Sequence, residues 1–209
     1  MISRRSFVAL AGVLAALTWS AGPARADTVS EAAAFINDFG HRAISSLTDK
    51  GLTDQQLVDR FRGLFREGFD VPYIARSALG RFWRRASAEE KKEYVPLFED
   101  YIVEVYALQF RDYAGETFKA TGGRTEDGIT VVSSEVQRAD GPTTKVDWYV
   151  AKVDGKFKIQ DVKIEGVSMI TTHRDQFANE ILQHNGEVSG LIEALRAKTA
   201  SLRSTAGNG

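Results

Sequence analysis

The side chains with most chemistry to offer are the histidines, two aspartates in strand-like segments and a knot of cations. His41, His173 and His184 are the only imidazoles, and the chain has no cysteine. No pair of these histidines has the i, i+4 or Cys/His spacing that prepares tetrahedral coordination, so no metal site is read from them. The lack of thiols removes cysteine catalysis, disulfides and lipoprotein anchoring together. No serine stands in a Gly-x-Ser-x-Gly elbow, and Thr121-Gly122-Gly123 reads as a strand-end turn, not a phosphate loop. Asp147 and Asp161 remain. In an apolar hollow, burial could raise either pKa enough for proton abstraction beside a carbonyl, as in isomerase sites on cone-shaped α+β folds. Structural roles fit the pattern as well: Asp147 is out of phase with Val146, Trp148 and Val150 and would face solvent, while Asp161 would hold a bulge. No catalytic residue and no cofactor is assigned. Arg76, Arg81, Arg84, Arg85, Lys91 and Lys92 surround Phe82 and Trp83. They could meet an anionic headgroup or a membrane surface, or form a solvated connection with the two aromatics tucked into the core.

The elements that must position these groups follow from periodicity. Phe35, Ile36, Phe39, Ala43, Ile44 and Leu47 recur at helical spacing up to Gly51. Thr53 to Gln56 has capping-box order and opens a second helix with Leu57, Phe61, Leu64 and Phe65 on one face; Asp70 with Pro72 starts a third that stops near Gly80. Ser87 to Glu90 is another capping box, introducing a long helix to about Tyr113 with a bend at Pro96. Two apolar stripes run along that helix, so it needs burial on more than one side.

After Gly115 the period becomes alternating. Strands are predicted at Thr117–Thr121, Ile129–Gln137, Thr144–Val153 and Lys156–Ile164, with hairpin turns at Asp140-Gly141 and Asp154-Gly155. Phe157 and Ile159 have the opposite parity to Val162 and Ile164, so the last strand is covered on both faces or carries a bulge near Gln160-Asp161. Helices return over Ser168–Gln183 and Glu187–Leu202. The predicted fold is α+β: a curved antiparallel four-stranded sheet with helices from both ends of the chain packed over it, enclosing an apolar cavity.

The first residues run Ser3-Arg4-Arg5-Ser6-Phe7, an apolar stretch from Val8 to Leu17, and Ala24-Arg25-Ala26. This is the order of a secretory signal cleaved after Ala26, and the paired arginines before Phe7 resemble the twin-arginine type. The expected organisation is a signal over 1–26, one soluble domain over 27–203 and a disordered tail over 204–209. The formal charge is −1, and loss of Arg4, Arg5 and Arg25 makes the remainder more acidic, which argues against a nucleic-acid partner.

Phe69-Asp70-Val71 with Ile74-Ala75-Arg76, then Leu79-Gly80-Arg81-Phe82-Trp83-Arg84, then Glu165-Gly166-Val167-Ser168 followed by Arg174 and Gln176-Phe177, resembles the MlaC or toluene-tolerance family of periplasmic phospholipid-binding proteins. The likeness covers nearly the whole mature chain. Trp148 stands where a tyrosine is common, Phe157 where a tryptophan is common, and His173 where a tyrosine precedes the arginine. The resemblance implies a monomeric periplasmic carrier moving phospholipid between an outer-membrane lipoprotein complex and an inner-membrane ABC transporter with an MCE-domain subunit. A neighbouring branch, associated with hopanoid synthesis, makes a polycyclic lipid the alternative ligand. On this reading the lipid-lining residues are Ile74, Leu79, Trp83, Phe98, Tyr101, Val105, Val131, Trp148, Val150, Val167, Ile170 and Phe177, with Arg81 and Arg174 at the headgroup. Arg174 could instead pair with Glu165.

Overall fold

Both capping boxes form as their spacing predicts. Thr53 Oγ1 accepts from the Gln56 N–H at 3.2 Å while Gln56 Oε1 accepts from the Thr53 N–H at 2.9 Å, and Ser87 and Glu90 repeat the exchange at 3.1 and 2.7 Å. The structure is a computed structural model describing residues 24–112, 115–137 and 141–206. The helices are α1 (Ala24–Leu47), α2 (Asp54–Gly68), α3 (Val71–Leu79), α4 (Ala88–Tyr106), α5 (Met169–Gln183) and α6 (Val188–Ala206). Segment 1–23, Tyr113 and Asp140 lie outside the described residues. The expected long helix stops at Tyr106 and tightens into a 3₁₀ turn over Ala107–Asp112, and a second 3₁₀ turn, Gly80–Arg84, links α3 to α4. α6 continues to Ala206, past the expected start of the tail at 204.

The strands β1 (Thr117–Glu126), β2 (Ile129–Gln137), β3 (Thr143–Val153), β4 (Lys156–Ile164) and β5 (Val167–Ser168) pair in sequence order as an antiparallel, curved and unclosed sheet. β1 corrects the sequence reading, because Thr121-Gly122-Gly123 is not a strand end. The register shifts between Ala120 and Gly122, a bulge at Thr121 carries the strand on to Glu126, and the turn comes at Asp127-Gly128, both with positive φ. The two-residue β5 adds a fifth strand to the four expected, and α5 starts after it at Met169 instead of at Ser168.

The parity conflict in β4 is resolved by a bulge. Val150 pairs with Ile159 and Tyr149 with Asp161, so Gln160 is the extra residue and Phe157, Ile159, Val162 and Ile164 all face inward. The bulge also positions polar groups: Gln160 Nε2 donates to Asp70 Oδ2 at 3.0 Å, and the Asp70 N–H donates to the Ile159 carbonyl at 2.9 Å. The joint between α2 and α3 is thereby tied to the middle of β4.

α1 lies across β1 and β2, with Ala32, Ile36 and Phe39 buried against Val132, Val150 and Ile159. A second core joins α3, α4, α5 and α6 around Tyr94, Phe98, Phe177, Ile181 and Leu191. Charges seam the outside of this bundle: Arg62 of α2 meets Glu99 and Glu104 of α4 at 3.3 and 3.9 Å, and Arg203 of α6 meets Glu104 at 2.8 Å. Arg42, Arg60, Arg66, Arg111, Arg124 and Arg196 are ion-paired too. No helix among the described residues is long and apolar enough to cross a membrane.

Candidate functional site

Phe61, Phe65 and Phe69 recur every fourth residue, so α2 stacks them into one ridge, with ring centroids 6.3 and 4.9 Å apart. The ridge does not close onto the sheet. Between it, Phe39, Gly40, Ala43 and Ile44 of α1, and Phe118, Val136, Val146, Trp148, Val162 and Ile164 of the sheet lies a hollow of about 270 Å³; Tyr106 and Phe110 stand at the α4 end. Gly40 permits the arrangement, since a Cβ there would sit 2.6 Å from the Phe118 ring. A smaller void of about 30 Å³ shares Phe65, Phe69, Ile102, Val162 and Met169 with the hollow and reaches Ile74 and Ala78 of α3. On the other side, Val136, Val146 and Ile164 are shared with a cleft of about 290 Å³ whose remaining walls are Gln109, Asp112, Glu116 and Thr144. An apolar chamber therefore meets a polar rim.

The polar atoms in the chamber walls are turned away or bonded, as burial requires. Trp148 Nε1 donates to Ser134 Oγ at 2.8 Å, and the Tyr106 hydroxyl bonds His173 Nε2 at 3.1 Å. His173 is buried with Nδ1 lacking a hydrogen-bond partner. Burial pushes its pKa down, Gln176 beside the ring opposes that, and the charge of Lys198 adds to it, so the imidazole is held neutral. Burial raises the pKa of Tyr101 and of Tyr106, which keeps both phenols protonated.

The two aspartates are committed elsewhere. Asp161 Oδ1 accepts from the N–H groups of Val162 and Ile170 at 2.9 and 3.2 Å, and Oδ2 accepts from the Ser168 hydroxyl at 2.6 Å. It fastens the start of α5 to β4 beside the bulge. Asp147, on the outer face of the sheet, accepts from Ser133 Oγ at 2.6 Å and from Arg124 at 3.0 Å. Burial tends to raise its pKa, but the bonds from Arg124 and Ser133 outweigh this and hold the carboxyl below the usual value. It is a poor base, and it is paired, not merely solvated. His41 sits beside Phe118 with centroids 6.1 Å apart, and His184 lies at the far end of α5. Among the described residues no cluster of His, Cys, Asp and Glu could hold a metal ion.

The MlaC protein family matches residues 38–197. This chain belongs to that family. Toluene tolerance protein Ttg2D of Pseudomonas putida is 20% identical over 141 residues, 66% of either chain, so the match spans just under two thirds of that relative. The phospholipid-binding protein from Ralstonia solanacearum, solved in complex with a phospholipid, has the same fold at a TM-score of 0.69, with 24% identity over 81% of this chain and 97% of that one.

Within this MlaC fold, the lining residues expected from sequence scatter. Trp148 lines the hollow, and Ile74, Phe98 and Ile170 line the small adjoining void. Leu79, Tyr101 and Phe177 belong to the helical core, with Trp83 and Val105 packed on its margin, and Val150 belongs to the core under α1. Val131 is buried on the opposite face of the sheet, across from Arg124 and Tyr149, and Val167 is 62% exposed. Neither arginine expected at the headgroup lines the hollow: Arg174 Nε donates to the Ser77 carbonyl at 2.9 Å, bracing α5 against α3, and Arg81 lies over the Phe82 ring. Glu165 instead accepts from the backbone N–H of Lys145. The sequence places Phe61 and Phe65 on one helix face, but the lining expected from it omits the ridge Phe61, Phe65, Phe69, whose signal is the four-residue spacing, and the inward set Phe118, Val136, Val146, Val162 and Ile164.

Proposed function

We propose that this chain is a periplasmic lipid carrier, holding phospholipid acyl chain in the hollow between α1, α2 and the sheet, with the headgroup at the polar rim by Gln109, Asp112 and Thr144. The observation carrying this reading is an apolar chamber of about 270 Å³ left open inside a folded domain, opening onto a polar cleft. An amphiphile matches both halves. The fold shared with a protein crystallised on a phospholipid supports it.

The energetics suit exchange. Burying each methylene from water contributes about 0.8 kcal/mol, so two chains of about fifteen methylenes sum to about 24 kcal/mol, above the practical ceiling for affinity. The relevant reference is a bilayer, and a wall of phenylalanine and aliphatic side chains need only be about as apolar as one. The carrier performs no covalent chemistry, and the engagement of Asp147 and Asp161 supports that. Its proposed partners are an inner-membrane ABC transporter with an MCE-domain subunit and an outer-membrane lipoprotein complex. The N-terminal segment would be the export signal, leaving one lipid-binding domain over 27–203. Native mass spectrometry of protein purified gently from the periplasm, with extraction of anything bound, tests this: stoichiometric phospholipid is expected. A hopanoid would move the cargo to the polycyclic class, and protein that stays empty when offered vesicles overturns the reading.

A further inference from the structure

One corner of the molecule breaks the rule that its arginines are ion-paired. Arg76, Arg81, Arg84, Arg85 and Arg174 are exposed and form no ion pair among the described residues, and the same holds for Lys92. They come from α3, the 3₁₀ turn, the start of α4 and α5. The guanidinium carbons of Arg81 and Arg85 lie 5.0 and 5.6 Å from the ring centroid of buried Phe82, and the stem of Arg174 lies against Gly80. The 3₁₀ turn Gly80–Arg84 puts residues three apart above one another, which aligns Arg84 with Arg81. Tyr73, 42% exposed, stands one helical turn before Arg76 on α3.

We infer that this corner, from α3 through the 3₁₀ turn to the start of α4, is the face that docks on an anionic phospholipid bilayer. The chain is net acidic, yet here six cations outnumber Glu89, Glu90 and Asp175 of the same segments and pair with none of them, so the excess is not a by-product of composition. Arginine forks take phosphate oxygens in pairs, and tyrosine suits the level of the headgroups. Exposed cations spread over several elements fit a fluid array of phosphates better than the fixed acids of one protein. The inner side of the same α3 supplies Ile74 and Ala78 to the void beside the hollow, so docking would place that helix between bilayer and interior. The inference rests on the carrier reading for its purpose but not for its test.

The test is flotation of the purified protein with vesicles of phosphatidylglycerol and phosphatidylethanolamine, against vesicles of phosphatidylcholine alone. Binding is expected only to the anionic vesicles, and it should fall as salt screens the surface. With about fivefold per cation, the triple reversal Arg76→Glu, Arg84→Glu, Lys92→Glu should lose at least about 100-fold, and the corresponding glutamine variant less. Both variants should load lipid delivered from detergent as the parent does, which checks their fold. Equal flotation of parent and reversed variant, or no preference for anionic vesicles, overturns the inference; so does a parent that ignores vesicles but binds an acidic protein through these residues. Failure of loading with vesicle binding intact overturns the carrier reading alone.

Discussion

The bundle of α4, α5 and α6 and the space under α1 and α2 are built from the same residue types, yet one is solid and the other hollow. In the bundle, Phe98 is fully buried, with the rings of Tyr94 and Phe177 at 5.9 and 6.1 Å. Under α2, Phe61 and Phe65 have ring partners along their own ridge and in Phe110, and face empty volume across from Trp148 and Val146. The difference lies in what holds the layers apart. The bundle helices interdigitate directly. α1 is seated on the sheet through Ala32 and Ile36, and the joint after α2 is pinned to β4 through Asp70 and Gln160, so the middle of α2 spans the gap between two fixed points. The lesson is that apolar composition sets how much surface must leave water, while anchoring decides whether the surfaces meet.

The largest effect should come from cutting into the solid side. Phe98→Ala removes a fully buried ring held between Tyr94 and Phe177 and should cost about 3–5 kcal/mol of unfolding free energy in urea. If it costs under about 1 kcal/mol, the bundle is not the tightly packed region and the contrast fails.

A pair of tryptophans then sharpens the contrast by exchanging roles. Ala43→Trp projects into the hollow and should lower lipid loading at least about tenfold with stability changed by no more than about 1 kcal/mol, because room exists for the ring. Val105→Trp sits on the margin of the bundle and should do the reverse, costing about 1–3 kcal/mol with loading unchanged. Quantifying bound lipid after exposure to vesicles, beside urea melts, separates the two. Equal loading in both variants would remove the hollow from the ligand path.

This pair also shows where the sequence stops being legible. The caps at Thr53, Ser87, Asp70 and Ser168, the strand limits of β2 and β4 and the bulge at Gln160 are written in patterns a few residues long, because a cap is a bond to the third residue on and parity is set by the pleat. The site is not local in that sense. Trp148 and Val150 share a strand and a face, yet Trp148 lines the hollow while Val150, opposite Ile159, is packed beneath α1. Their surroundings differ only through which part of α1 lies above, and no spacing in β3 encodes that. The glycines of β1 misled for a related reason: the bulge at Thr121 lets the strand continue where a Gly-Gly pair suggests an end. The unpaired cations were visible as a charge run, but their lack of acid partners depends on where the other helices place theirs.

The smallest effect should appear at the boundary between the two regions. His173 packs on Tyr101 and Phe177 of the bundle, and its Nε2 bonds Tyr106, whose ring borders the hollow. Because burial holds its folded pKa below the ordinary 6.5, the unfolded chain takes up a proton first as pH falls. The stability supplied by the neutral ring is therefore complete above about pH 6.5 and is lost as pH drops from there through the lower folded value. Thermal unfolding followed between about pH 8 and pH 5 should show a decline on the order of 1 kcal/mol that His173→Phe flattens, even though the variant forfeits the bond to Tyr106. A decline of equal slope in His173→Phe would remove the imidazole as its cause. The boundary would then be apolar in effect, and the hollow and the bundle would differ by packing alone.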